Sequence, residues 1–159
     1  MEDYSLVKIH KLHIKGTKEK AFVTDLTFLL CKLTNKVKDK LKFESINVYI
    51  TTRCLKHLYD HKPAEEYDTI IKCAHQVIEH PDQIYENKDG SKRGDLCFVK
   101  EVAGETYLCS IEKDIEATNL QVMKANFVAT CFRLREDKKE KYLKNYKLLW
   151  SWKGGNPSS

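Results

Sequence analysis

Apolar and polar positions near the N-terminus follow two different periods. Over residues 6–14, LVKIHKLHI, the two kinds of side chain alternate, which predicts a strand that ends before Gly16. Over residues 20–33, KAFVTDLTFLLCKL, most apolar positions recur every three or four residues, which predicts a helix. The chain is therefore expected to open with a strand followed by a helix.

One further strand and two helices are predicted in the middle of the chain. Residues 45–50, SINVYI, are rich in the β-branched and aromatic side chains typical of strands. Thr51 or Thr52 can cap a helix over residues 53–61, and Pro63 ends that helix and can open the next. The second helix carries one apolar stripe, which consists of Tyr67, Ile70, Ile71, Ala74, Val77 and Ile78.

A hairpin with an interrupted apolar face is predicted over residues 95–111, DLCFVKEVAGETYLCSI, with its turn at Gly104 and Glu105. Strand alternation places Lys100 on one face with three apolar neighbours, which are Leu96, Phe98 and Val102. A buried ammonium is costly unless it is paired. Lys100 therefore either reaches solvent at the strand end or belongs to a polar site on the sheet.

The remaining elements complete an α+β class, in which helices come largely first and an antiparallel sheet follows. A tight Asp89-Gly90 turn leads into the sheet. A long strand is predicted over residues 123–134 and a charged helix near 136–147, and the terminal GGNPSS is expected to fray.

Length and composition indicate one folded domain. The chain has 159 residues, of which 42% are hydrophobic and 32% are charged, so it can bury a core and differs from a disordered chain. The net charge of +5 favours phosphate-bearing partners only weakly. Much of the excess lies in residues 34–42 and 133–147, and such runs are typical of solvated helix faces.

The six cysteines are expected to be reduced thiols, none of them catalytic. They are scattered without CxxC spacing and lie mostly within apolar runs, where a thiol behaves as a small hydrophobic group. The N-terminal MEDYSLVKIH lacks the apolar core of a secretory signal, and no segment reaches the ~18 apolar residues of a membrane span. These features predict a reducing, cytoplasmic compartment and no membrane partner.

Candidate acid–base chemistry centres on the histidines of LKHLYDHKP. On the predicted helix, Arg53, His57 and His61 follow one another at intervals of four residues and share a face. A nuclease without a metal needs a base for the ribose 2′-hydroxyl, an acid for the leaving oxygen and cations for the charge growing on phosphorus. Histidines can fill the first two roles. Lys100 is the candidate cation, and the Thr130 hydroxyl is a candidate to orient a phosphate oxygen.

Each candidate also has a structural interpretation. His57 can be a polar residue at a helix edge, Lys100 a strand residue that reaches solvent, and Thr130 an ordinary strand former. Regular alternation places Arg133 on the strand face opposite Thr130, unless a bulge intervenes. The ordered set therefore carries more weight than any single residue.

Zinc binding is the rival chemistry, because His57 and His61 have a helical spacing that can seat one metal and Cys54 lies about a turn away. The glutamate of the HExxH motif is absent, and Cys73 and His75 form only a loose second pair. No glycine-rich phosphate loop is present. We therefore expect neither a bound metal nor a small-molecule cofactor.

Several motifs, in order, resemble the phage-associated branch of the barnase, EndoU, colicin and RelE nuclease superfamily. They are INVYITTRCLKHLYDHKP, VIEHPDQIYEN, LCFVKEV with YLCSI, and ANFVATCFRLREDKKEKYLK, and they cover about residues 45–150. In that branch a helix with a histidine pair precedes a Pro-x-x-Ile strand entry, a hairpin with a lysine, and a last strand with threonine before an aromatic residue. Asp60 departs from the pattern, since a basic residue is expected before the second histidine.

The resemblance implies a fold in which N-terminal helices pack on a four-stranded antiparallel sheet. Residues 1–44 are then a strand–helix extension packed on the domain, residues 45–150 the nuclease domain and residues 151–159 a tail.

The resemblance also implies a toxin-like or phage-associated ribonuclease that needs no metal. The implied site residues are His57, His61, Lys100 and Thr130, with Arg133 as a further member. RNA is the expected partner, and an antitoxin or immunity protein is a second candidate partner. The alternative function is a noncatalytic nucleic-acid-binding or protein-interaction module on the same fold.

Overall fold

The computed structural model of the chain describes residues 5–87, 95–116, 124–144 and 146–152. The helices in these ranges are α1 (Leu6–Ile9), which continues into a π-helical turn (His10–Ile14), α2 (Asn35–Leu41), α3 (Thr52–His61), α4 (Ala64–Glu79) and α5 (Glu136–Leu143). The strands are β1 (Thr27–Lys32), β2 (Asn47–Thr51), β3 (Gln83–Glu86), β4 (Leu96–Val102), β5 (Glu105–Glu116), β6 (Lys124–Leu134) and β7 (Lys147–Ser151).

These strands form one mixed sheet with the order β1-β2-β6-β5-β4-β3-β7. The β2–β6 pair is parallel, and the other described neighbours are antiparallel. Parallel neighbours need a long crossover connection, and here α3, α4 and three strands separate β2 from β6 along the chain.

Helices pack on both faces of the sheet. The main core lies on one face, where α1, α3 and α4 cover strand residues such as Phe98, Cys109 and Cys131. A second cluster lies on the other face, where Leu143 of α5 joins Val99 and Leu108. We call these two sides the α4 face and the α5 face. No helix within the described ranges combines the length and apolar character needed to cross a bilayer.

The predicted four-stranded antiparallel sheet is wrong. The protein is α+β, but its sheet has seven strands and is mixed. The two strands that had no predicted counterpart, β1 and β7, stand at opposite edges of the sheet. In β7 only Trp150 is buried, so these edge strands carry little apolar pattern, and pairing with a neighbour decides their conformation.

The strand predicted over residues 6–14 is also wrong, because this segment is helical. Leu6, Ile9 and Ile14 are buried, and the last two are five residues apart. The N–H of Lys15 donates to the carbonyl of His10 at 2.8 Å, which is the i→i+5 bond of a π-helical turn. This wider turn places Ile14 in the same core as Ile9. Their spacing of five residues matches neither the period of an α-helix nor that of a strand, so the sequence pattern did not reveal the helix.

The helix predicted over residues 20–33 is replaced by a loop and β1. The expected apolar stripe does not exist, since Phe22 is 91% exposed and Leu29 is also exposed. Cys31 and Leu33 reach the main core instead. A short apolar run fits either period, and here antiparallel pairing with β2 selects the strand.

The predictions for α3, α4 and the β4–β5 hairpin are confirmed, except that the hairpin turn is formed by Ala103 and Gly104 and Glu105 already belongs to β5. Thr51 caps α3 by accepting the N–H of Cys54 at 3.1 Å, and Pro63 precedes α4. Every member of the predicted α4 stripe is buried. Gly104 adopts a positive φ of 85° in the hairpin turn, a conformation that glycine reaches without strain. The predicted Asp89-Gly90 turn and the GGNPSS tail lie outside the described residues.

We expect all six thiols to be reduced in the purified protein, because each is a free cysteine and all but Cys54 are buried. Burial raises the pKa of Cys73 and of Cys97 to about 11, so neither is a ready nucleophile at neutral pH. Alkylation in denaturant without reductant, followed by mass spectrometry, should count six adducts. A disulfide, for which the neighbouring Cys109 and Cys131 are best placed, would remove two adducts and contradict this expectation.

Candidate functional site

The exposed side of α3 presents the predicted histidine pair. Arg53, His57 and His61 are all exposed and follow one another at one-turn intervals. The ring centroids of His57 and His61 are 4.3 Å apart, with an angle of 43° between the ring planes. The structure therefore brings two imidazoles into contact on a solvent-facing surface, which we call the α3 surface.

Asp60 takes no part in the α3 surface, because it is held in a buried ion pair. Its Oδ1 lies 2.7 Å from Nζ of Lys56, and each side chain is only 7% exposed. Lys56 also donates to the carbonyl of Lys18, and Oδ2 of Asp60 accepts the N–H of Lys20. Asp60 and Lys56 thus fasten the loop before β1 to α3.

The pKa of Asp60 lies below its ordinary value. Burial alone would raise this pKa, but the hydrogen bonds from Lys56 and from the Lys20 N–H, and the charges of Lys56 and His61, outweigh it. The carboxylate is therefore ionised at neutral pH and fixes the helix that carries the histidines.

Arg133 lies beside the junction of α3 and α4. Its N–H donates to Oε2 of Glu66 in the first turn of α4, and its guanidinium is 3.8 Å from Oε2 of Glu105. In the same region Nζ of Lys62, the residue after His61, lies 5.2 Å from the ring centre of Phe132. The junction therefore places two further cations, Lys62 and Arg133, near the C-terminal end of the α3 surface.

Thr130 lies on the α5 face. It is buried opposite Ser110, and it shares a strand face with Phe132, which packs in the second cluster. A register shift in β6 falls between Val128 and Thr130, so it does not bring Thr130 to the face of Arg133. The structure thus places Thr130 and Arg133 on opposite faces of β6.

Lys100 lies in a cleft of about 300 Å³ on the α4 face. Of the described residues that line this cleft, none belongs to α3, and two are the tryptophans Trp150 and Trp152. We call it the tryptophan cleft. Lys100 and Arg133 flank the buried Tyr107 on one rung of the sheet. Their backbones are therefore about 10 Å apart, two strand spacings.

Sequence reasoning missed the aromatic and basic residues around these sites. Phe132 contacts Tyr142 at 5.5 Å between ring centres, and Tyr142 contacts Tyr146 at 5.4 Å. Lys62 directly follows His61, and Phe132 directly precedes Arg133. Their position next to predicted site residues was the signal available in the sequence. Nothing in the pattern of LLWSWK indicated that its two tryptophans share a cleft with Lys100.

Comparisons with known proteins found no relative of this chain. No protein-family model matches it, and neither curated proteins nor solved structures gave a match. Within the described ranges no group of three or more His, Cys, Asp or Glu residues is placed to hold a metal ion. The superfamily resemblance therefore remains a prediction.

Proposed function

We propose that this protein is an endoribonuclease that cleaves RNA without a metal, with His57 and His61 as its acid–base pair. The contact between the two exposed imidazoles carries the proposal, because histidine is the side chain that most often acts as general acid or base in enzymes. Exposed side chains change rotamer rapidly, so the rings can separate to flank a phosphodiester. Arg53 lies one turn before His57 and supplies a cation for an adjacent phosphate.

The chemistry that fits this pair is attack by the neighbouring ribose hydroxyl. One imidazole, as base, takes the proton of the 2′-hydroxyl, and that oxygen forms a bond to phosphorus. The bond from phosphorus to the 5′-oxygen breaks, and the other histidine, as imidazolium, protonates the leaving oxygen. The products are a 2′,3′-cyclic phosphate and a free 5′-hydroxyl. Arg133 and Lys62, near the end of the α3 surface, are the cations placed to offset the phosphorane charge.

A noncatalytic RNA-binding module is the second candidate function. The positions of Thr130 and Lys100 favour it, because a buried threonine on the α5 face and a lysine in the tryptophan cleft leave the histidine pair without those two predicted helpers. Such a module would retain the cations and aromatic rings of the α3–α4 junction for contact with phosphates and bases. An antitoxin or immunity protein, if one exists, would be expected to cover the α3 surface.

Incubation of the protein with total RNA in EDTA tests the proposal. We expect cleavage that leaves 2′,3′-cyclic phosphate ends and spares DNA, since DNA lacks the attacking hydroxyl. End-group analysis of the fragments is the measurement. Products with 5′-phosphate ends, or cleavage only after a divalent metal is added, would contradict the chemistry. Retained RNA binding without any cleavage would favour the second candidate.

A further inference from the structure

The tryptophan cleft combines apolar walls with cations at its rim. Trp150 is 8% exposed and Trp152 is 46% exposed, and their ring centres are 6.5 Å apart. Lys36 of α2, Lys100 of β4 and His80, after α4, also line the cleft. An exposed indole beside basic side chains is an arrangement that proteins use to stack a nucleobase and hold its phosphate.

The backbone around Asp82 holds the cleft in place. The carbonyl of Asp82 accepts the N–H of Trp152 at 2.8 Å, and its own N–H donates to the carbonyl of Val99 at 2.8 Å. The Asp82 carboxylate accepts the N–H of Glu101 at 2.9 Å and lies 3.6 Å from Nζ of Lys100. The backbone of Trp152 and the ammonium of Lys100 are therefore both attached to Asp82, which brings the two side chains to the same cleft.

The volume of the cleft and the side chains that line it indicate the class of ligand. About 300 Å³ lies at the lower end of the range for small-molecule sites, which suits a single nucleotide. The acids Glu79 and Asp82 also line the cleft, but Asp82 already faces Lys100 and is hydrogen-bonded by a backbone amide. The two lysines and the two acids of the lining balance in formal charge, so the case for a phosphate rests on the N–H donors that Lys36 and Lys100 offer beside an exposed indole.

We propose that the tryptophan cleft binds one nucleotide of single-stranded RNA, with its base stacked on Trp152 and its phosphate at Lys100 and Lys36. Lys100 and Arg133 share one rung on the α4 face, so an RNA strand that passes the α3–α4 junction can reach the cleft. The choice of RNA as the polymer that enters the cleft rests on the proposed ribonuclease function. The stacking site itself does not depend on cleavage.

Intrinsic fluorescence tests the site without any cleavage assay. The chain has two tryptophans, and both line the cleft, so tryptophan emission reports on the cleft alone. We expect adenosine 5′-monophosphate and a short single-stranded oligoribonucleotide to change the emission in a saturable way. Ribose 5-phosphate should bind more weakly, because it lacks the base, and adenosine more weakly, because it lacks the phosphate.

Variants then assign the contacts by calorimetry with adenosine 5′-monophosphate. Trp152→Ala should weaken binding ~10- to 100-fold, as expected for loss of one base-stacking contact, and Trp152→Phe should restore much of it. Lys100→Ala should weaken the monophosphate but leave adenosine unchanged. Phe22→Ala, at a highly exposed site before β1, is the control and should bind as the parent protein does.

Each outcome bears on this site separately from the ribonuclease activity. Nucleotide binding with the expected variant effects, in a protein that cleaves no RNA, would support the cleft and reject the acid–base pair. Equal binding of ribose 5-phosphate and the monophosphate, tighter binding of tetramethylammonium, or no response to any nucleotide would overturn the cleft even if RNA is cleaved.

Discussion

Alanine in place of His57 or of His61 should lower RNA turnover ~10²- to 10⁴-fold, the usual contribution of a general acid or base. RNA affinity should change little, since phosphate contacts depend on the cations Arg53, Lys62 and Arg133. Melting temperature should also be preserved, because both histidines are exposed on α3 and contribute nothing to the core. Turnover, RNA affinity and melting temperature measured on the same preparations separate these effects.

Two comparisons sharpen the histidine experiment. His75→Ala changes a partly buried histidine of α4 that lies outside the α3 surface, and it should retain parental turnover. The double variant His57→Ala/His61→Ala should lose hardly more activity than either single variant, because residues that act as a unit give non-additive losses.

The rate of the parent protein should pass through a maximum with pH, as one histidine must be neutral and the other protonated. Parental turnover in both single variants would remove the case for this pair.

Asp60→Ala should destabilise the fold by about 3 to 5 kcal/mol, the cost of leaving one charge of a buried ion pair without its partner. The Lys56 ammonium would keep the carbonyl of Lys18 and the ring of Tyr59 but lose its anionic partner, and the Lys20 N–H would lose its acceptor. Because this pair fastens the loop before β1 to α3, the whole N-terminal segment should be affected. Chemical denaturation monitored by circular dichroism measures the free energy of unfolding.

The exposed pair Lys72–Asp68 is a matched control on α4. It has the same i,i+4 spacing and a distance of 2.9 Å, but its side chains are 62% and 59% exposed. Asp68→Ala should therefore cost less than about 1 kcal/mol. Replacing both buried partners, as in Lys56→Met/Asp60→Leu, should recover much of the stability, since no charge is then left unpaired. Equal losses for Asp60→Ala and Asp68→Ala would show that burial of the first pair has no energetic consequence.

The contribution of Asp60 should also depend on pH in a defined direction. The pKa of this carboxyl is lowered in the folded protein, so its stabilisation is complete above the unfolded value of about 4. It is lost as the pH falls through the folded pKa. The difference in unfolding free energy between the parent protein and Asp60→Ala should therefore shrink in acid and stay constant between about pH 5 and 8.

Strong local patterns allowed the central elements to be predicted from sequence. The α4 stripe repeats over about three turns. The Thr51 cap and Pro63 mark the start and the end of α3. The sheet edges gave no such signal, because β1 and β7 expose many of their side chains and depend on pairing with β2 and β3. The N-terminal helix was not predicted, because its π-helical turn places two core residues five positions apart.

The candidate site was predictable only where it is local in sequence. Helical spacing was enough to place His57 beside His61. Arg133 reaches the α3–α4 junction through a contact with Glu66, which is 67 residues away in the chain, so its place in the site was not predictable from local sequence. The position of Thr130 depends on the register of β6 and on which side of the sheet α5 covers. Both are set by tertiary packing, so the local sequence does not predict them. Lys100 meets the tryptophans only because β7 pairs with β3 at the far edge, a contact that no local pattern encodes.

A short RNA with one 2′-deoxyribose tests the central claim most directly. The cleavage position is first mapped on the all-ribose oligonucleotide, and the nucleotide that carries the attacking hydroxyl is then replaced by its deoxy form. We expect cleavage at that phosphodiester to disappear in EDTA while binding and cleavage at other positions persist, because the attacking oxygen alone has been removed. Undiminished cleavage at the deoxy position would mean that water is the nucleophile, and it would contradict the proposed role of the histidine pair.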